Sequence, residues 1–252
     1  MTETVARPDQ TTSPEDAAFE RQLRIDLAAT YRLADKLGMS ELISTHISLR
    51  VPGPTPAFLM NPYGLLFHQI TASSLVKVDF DGNILSLTEY AVPRAGVVIH
   101  GAILEARPDV NCVLHAHNTY TIAVSAQRDG LLTLSQAAMR FHGQLSYHEY
   151  GRAASHPTER AKLQEDMGDK WVMLLRNHGF LTTGRTCGEA LISGYFLDRA
   201  CRVQITAQCA GVPLVMPRED TFESGIQWRG RDEPSWPALI RMLDQEDPSY
   251  KD

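Results

Sequence analysis

The stretch that decides the reading of this chain is Arg107–Ala126, "RPDVNCVLHAHNTYTIAVSA", in which an apolar run delivers two histidines with one residue between them. If "CVLHAHN" is a strand, side chains at i and i+2 share a face, so His115 and His117 stand side by side with Cα atoms about 6 to 7 Å apart. Two imidazoles at that spacing can grip one divalent ion, or they can be two polar residues on the wet face of a strand. A metal reading needs a third ligand. His178 is the best candidate, because it follows "WVMLLRN" and precedes Gly179, at a strand end where a side chain can turn into a cleft. Three neutral imidazoles leave positions open for water or substrate, the pattern of a catalytic site rather than a structural one.

Working outward, Ser13-Pro14-Glu15-Asp16 places a capping serine before a proline and two acids, and the apolar spacing that follows predicts an amphipathic helix ending near Gly38. From "HISLRV" through "AFLMNPYGLLF" to "SLVKVDFDGNIL" the period falls to two, which predicts antiparallel strands with Asp81-Gly82 as a hairpin turn. "GVVIHGAILEARPDV" reads as a helix ending before Pro108, "PTERAKLQEDMG" as a helical patch and "KWVMLLRNHGFLTTG" as one strongly apolar strand. Cys187–Gly211 reads as a long helix stopped by Gly211 and Pro213. The sum is an α/β fold, a three-layer α/β/α domain around a mostly antiparallel sheet. Its expected limits are residues 14–216. Residues 1–13 are expected to be a disordered tail, and 217–252, weakly periodic, an arm lying over the domain or a neighbouring subunit.

The 252 residues carry 24 Lys+Arg against 30 Asp+Glu with the basic residues scattered, so nucleic acid and anionic membrane are not expected partners. No apolar run of about 18 residues occurs, and the N-terminus lacks a basic lead and an apolar core, so neither a membrane span nor a signal peptide is expected. Four unevenly spaced cysteines without a CxxC pair read as reduced thiols in a cytoplasmic protein.

"RPDVNCVLHAHNTYTIAVSA" together with "LLRNHG" resembles the class II aldolase/adducin family. So do "STHISLRV", "NPYGLLF", "ITASSLVKVD", "IHGAILEARPDV" and "YHEY", and the resemblance runs from about Leu23 to Gly211. Several of these segments resemble the adducin head and its bacterial relatives more than the sugar-phosphate aldolases. The resemblance implies one divalent ion, zinc, manganese or iron, held by His115, His117 and His178. It also implies a homo-tetramer with sites between subunits, to which Trp228, Trp236 and Tyr250 of the tail would contribute unless they merely pin the arm down.

The departures from the aldolases are specific. Their catalytic Glu lies four residues before the histidine that here is His100, and this chain has Gly96 there, which cannot move a proton. The Gly-Asn of their phosphate loop becomes Thr45-His46, and the Thr-Gly of a second phosphate contact becomes Tyr63-Gly64. A phosphate dianion needs several converging donors, so the expected substrate is a small carboxylate without phosphate. Arg94 either grips that carboxylate or is a surface arginine. His46 lines the pocket or caps a turn, and Tyr63 and Tyr120 are expected in the pocket wall.

Another group must then move protons, and "MRFHGQLSYHEY" offers His142 first, with Arg140 and Tyr150. His100 reads as a hydrogen-bonded buried histidine. The resemblance implies a metal-dependent lyase that breaks a C–C bond, by decarboxylation of a hydroxylated aromatic or heteroaromatic acid or by retro-aldol cleavage. A non-haem Fe(II) oxygenase on a hydroxyaryl acid and a non-catalytic adducin-like assembly module are the alternatives.

Overall fold

A computed structural model describes residues 13–151, 157–222, 225–230 and 234–252. The stretch read as a disordered tail therefore lies, but for Ser13, outside the described residues. Helix α1, Pro14–Lys36, starts where the sequence places it, with the Ser13 hydroxyl accepting from the Asp16 N–H at 3.1 Å. Strands β1 (His46–Val51), β2 (Ala57–Met60) and β3 (Val76–Asp79) follow, and β3 turns at Gly82, whose φ of 90° suits glycine, to a single bridge at Ile84. Of "AFLMNPYGLLF" only the first four residues are strand, because Pro62 and Gly64 break the ladder.

Helix α2 spans Arg94–Ala106, strand β4 Cys112–Ala116 and helix α3 Thr119–Ser125. The short helix α4 (Gln136–Met139), strand β5 (Leu145–His148) and helix α5 (Pro157–Met167) precede β6 (Val172–Leu175) and β7 (Gly179–Gly184). Helix α6 is Cys187–Cys209 and α7 is Ser235–Glu246. The seven strands form one sheet in the order β3-β2-β1-β4-β7-β6-β5, antiparallel throughout except for the β5–β6 pair.

Two differences from the sequence reading matter for the site. The apolar stretch taken as one strand is a hairpin, β6 and β7, because Asn177 adopts φ 57°, a left-handed conformation asparagine tolerates. And the region after Pro217 contains a full helix, α7, which packs on α1 through Lys36–Glu246 and Arg32–Asp247 ion pairs.

Alternation along β4 divides the core. Cys112, Leu114 and Ala116 face the layer that includes Leu27, Leu33, Leu191 and Leu197 of α1 and α6. Val113 faces the layer that includes Val97, Ile103 and Leu163 of α2 and α5. Each large aliphatic side chain so buried contributes about 1.5–3 kcal/mol. That sandwich fixes the end of β4, where the histidines lie. No helix of the described residues is long and apolar enough to cross a membrane.

Candidate metal centre

Strand β4 ends at Ala116, so His115 sits within the ladder and His117 one residue beyond it. His115 is buried, and its Nδ1–H donates to the Phe180 carbonyl on β7 at 2.9 Å. His117 donates from Nδ1 to the Glu41 carboxylate at 2.6 Å. Both rings thereby turn their Nε2 atoms toward one point, 2.8 Å apart. His178 projects from the β6–β7 turn, its ring centroid 5.0 Å from that of His115 and 4.7 Å from that of His117. One ligand nitrogen from each of the three lies within 4.8 Å of the others.

The donor set fits a divalent cation. With Nδ1 of His115 engaged by the Phe180 carbonyl and Nδ1 of His117 by the Glu41 carboxylate, the two Nε2 atoms are turned to the same small volume, where one cation would be held by both. Burial, and then the surrounding imidazoles, hold His115 well below the ordinary imidazole range. Burial first, and then His117, push His178 down to about 4. Both rings are neutral near pH 7 and present lone pairs rather than protons.

The hairpin turn that carries His178 is clamped by its neighbour Arg176. The Arg176 guanidinium donates to the carbonyls of Ser125 and Gln127 at 3.1 and 2.7 Å and stacks on Tyr147 with its carbon 4.2 Å from the ring centroid. Glu41 is a site residue that sequence reading missed. It lies 76 residues from His117 in a loop, and a lone exposed glutamate carries no pattern that betrays such a pairing. Carboxylate partners of metal-bound histidines set ring orientation and basicity. Glu41→Gln is expected to weaken metal binding about 10-fold and Glu41→Ala up to about 100-fold, without loss of fold; competition against a chelating indicator dye measures both.

Behind His115 lies a second buried chain of polar groups. His46 is the direct cross-strand partner of His115, with ring centroids 4.8 Å apart. Its Nδ1 is 2.8 Å from His100 Nε2, and His100 Nδ1 is 2.5 Å from the Ser48 hydroxyl. His100 is thus a buried, hydrogen-bonded histidine. Gly96 lies against His46: a Cβ there would come 3.0 Å from two ring carbons of His46 and 3.1 Å from Met60 Cε. The His46 ring lies against the space that a side chain at position 96 would enter.

The remaining residues singled out in the sequence fall into two groups. Tyr150 is near, its ring 6.3 Å from that of His178, and both line a cleft of about 140 Å³ with His148, Glu149 and Arg176. Within one chain His142 and Arg140 are not brought to the triad. The turn after α4 binds them to the C-terminal region, where Gly225 N–H donates to the His142 carbonyl, the His142 ring meets Phe222 and Arg140 stacks between Phe196 and Trp228. Arg94 is exposed at the first turn of α2 and Tyr63 is exposed in the loop after β2. Tyr120, on α3, lies under Arg202 at 5.0 Å.

Comparison with known proteins gives a consistent result. The family described as class II aldolase and adducin N-terminal domain matches residues 25–205. An aldolase II superfamily protein from Pseudomonas syringae is 45% identical, with a TM-score of 0.89 over 96% of this chain and 98% of that one. Alpha-adducin of Rattus norvegicus is 42% identical over 89% of this chain, which spans 33% of the adducin. An L-fuculose 1-phosphate aldolase from Glaciozyma antarctica PI12 is 25% identical, with a TM-score of 0.82 over 97% of this chain and 98% of that one.

Proposed function

The chain belongs to the class II aldolase and adducin family, and from that premise we propose that it is a divalent-metal-dependent lyase acting on a small carboxylate without phosphate, by decarboxylation of a hydroxylated aromatic or heteroaromatic acid. The observation that carries this reading is the pairing of a complete three-histidine cradle with a His46 ring over Gly96. The three imidazoles are brought together, while the position that the resemblance gives to the aldolase acid is a glycine crowded by His46. A divalent ion in the cradle supplies Lewis-acid stabilisation of negative charge on substrate oxygens as a bond to carbon breaks.

The chain's own residues supply the rest. His115, His117 and His178 hold the ion, and Glu41 orients His117. Arg94 has no ion-pair partner among the described residues, so its planar guanidinium is available to a carboxylate in bidentate fashion. Tyr150, in the cleft beside His178, replaces His142 as the proton donor within one chain, and His46 walls the site on the side of β1. Retro-aldol cleavage uses the same electron sink. The proposed assembly is a homo-tetramer in the cytoplasm, and light scattering after size exclusion reads its mass.

The adducin relationship favours a second reading, an assembly module without catalysis, since a shared fold does not carry activity with it. One experiment separates the two. Protein loaded in turn with zinc, manganese and iron(II) is incubated with hydroxybenzoic and hydroxypyridine carboxylic acids, and CO2 and oxygen are followed. Release of CO2 that His178→Ala abolishes supports the lyase. Oxygen uptake with iron alone replaces it by the oxygenase, and neither, across the substrate panel and with sugar aldehydes added for the aldol direction, leaves the assembly module.

A further inference from the structure

A cavity of about 280 Å³ opens beside the N-terminal part of α6 and shares no lining residue with the cleft at His178. Its walls are aromatic. All three tryptophans of the chain, Trp171, Trp228 and Trp236, line it together with Phe196. Trp236 lies close against α6 because position 188 is glycine: a Cβ there would fall 3.0 Å from Trp236 Cβ and Cγ. The Arg140 guanidinium carbon sits 3.7 Å from the Phe196 ring centroid and 4.6 Å from that of Trp228, adding a flat cation to the stack.

Arg229 gives the cavity its polar demand. Its guanidinium lies over Trp171 at 5.2 Å, and its Nε and Nη2 are buried with no hydrogen-bond partner among the described residues. The carboxylates of Glu189 and Asp109 stand 3.8 Å away, close enough to balance its charge but beyond hydrogen-bond reach. Buried donors are rarely left without an acceptor. Among the lining residues the formal charges of Arg140 and Arg229 are equalled by those of Asp26 and Glu189, and Glu189 is further held by Arg185.

We propose that this cavity is a second ligand site, for an uncharged planar aromatic molecule of one or two rings that carries a carbonyl oxygen. The ring packs against the aromatic wall beside Trp236, next to the Phe196–Arg140–Trp228 stack, and the carbonyl accepts from Arg229 Nε and Nη2. The inference uses none of the metal-centre residues and stands whether or not the chain is a lyase.

Because every tryptophan lines the cavity, fluorotryptophan-labelled protein reports on it alone. The full chain, metal-loaded, is titrated with 1-naphthamide, 1-naphthoate and 1-methylnaphthalene while fluorine NMR follows the three resonances. Saturable shifts with 1-naphthamide at least tenfold tighter than with the other two are expected. Ser193→Phe, which fills the cavity, is expected to abolish them with metal content unchanged. Arg229→Gln is expected to keep naphthyl binding and lose the preference for the amide, so the assignment remains open to refutation if Ser193→Phe does not fold. No saturable shift, an unchanged shift in a folded Ser193→Phe protein, a preference for 1-naphthoate, or an amide preference that survives Arg229→Gln each overturns the proposal.

Discussion

Replacing His115 by alanine is expected to reduce bound metal from about one ion per chain to none, the largest effect of any single substitution at the centre. Two imidazoles remain, and the 2.8 Å convergence of Nε2 atoms that defines the cradle is gone. The parent gains stability from any ion that binds only the folded chain, about 2.7 kcal/mol when free metal is 100 times the dissociation constant. A chelator should therefore lower the thermal midpoint of the parent and leave that of His115→Ala unmoved. The variant also removes the buried bond from His115 Nδ1 to the Phe180 carbonyl, at a cost of about 0.5–1.5 kcal/mol. His178→Ala separates the two losses, because His178 is half-buried in a turn and removing it leaves that bond in place. Elemental analysis of the three proteins purified without added metal decides the matter. Equal metal in parent and both variants would mean that the histidines are not the ligands.

Why the cradle was legible and its surroundings were not follows from the range of the interactions. The apolar run through Cys112–Ala116 and the i, i+2 spacing of His115 and His117 are local, and so is the Ser13 cap of α1. Local patterns predict local geometry, and the sheet and its flanking helices emerged from them. His178 was readable as a partner, but the hairpin that presents it depends on the left-handed φ of a single asparagine, Asn177, inside a run apolar enough to pass for one long strand. The Glu41–His117 pair and the His46 ring over Gly96 span 76 and 50 positions of sequence. Neither has a local signature. Gly96 was visible as a letter, whereas its close approach to the His46 ring needed the packing of β1 against α2. His142 was favoured as an acid or base by residue type, and the tertiary path of the chain after α4 sets its ring against Phe222, in a cleft apart from the triad of its own chain.

Gly179→Ala tests whether that packing, rather than the histidines alone, builds the site. Gly179 opens β7 directly after His178, and its φ is not in the left-handed region, so alanine meets no conformational penalty of its own. The obstacle is steric. An added Cβ would lie 2.4 Å from the Ala116 carbonyl oxygen, 3.3 Å from its carbon and 2.9 Å from His117 Cδ2. A backbone carbonyl cannot turn aside as a side-chain tip can, so β4 and β7 must part where Ala116 pairs with Phe180. That movement separates His117 from His178 and stretches the bond from His115 to the Phe180 carbonyl. Overpacked cores typically lose about 1–3 kcal/mol, and a contact against main chain belongs at the top of that range. For a chain of this size the midpoint is expected to fall by about 6–12 °C, with metal affinity lowered at least as much as by Glu41→Ala. Gly194→Ala is the matched control. The atoms nearest its Cβ would be Met39 Sδ, Phe180 Cε2 and Thr182 Oγ1, at 3.3 to 3.5 Å, and alanine inside α6 recovers up to about 1 kcal/mol of helix propensity. Its midpoint should stay within a few degrees of the parent, with metal binding intact. If Gly179→Ala instead kept both, the close approach of β7 to β4 would not be what holds the three imidazoles together, and the orientation of the cradle would rest on Glu41 and Arg176 alone.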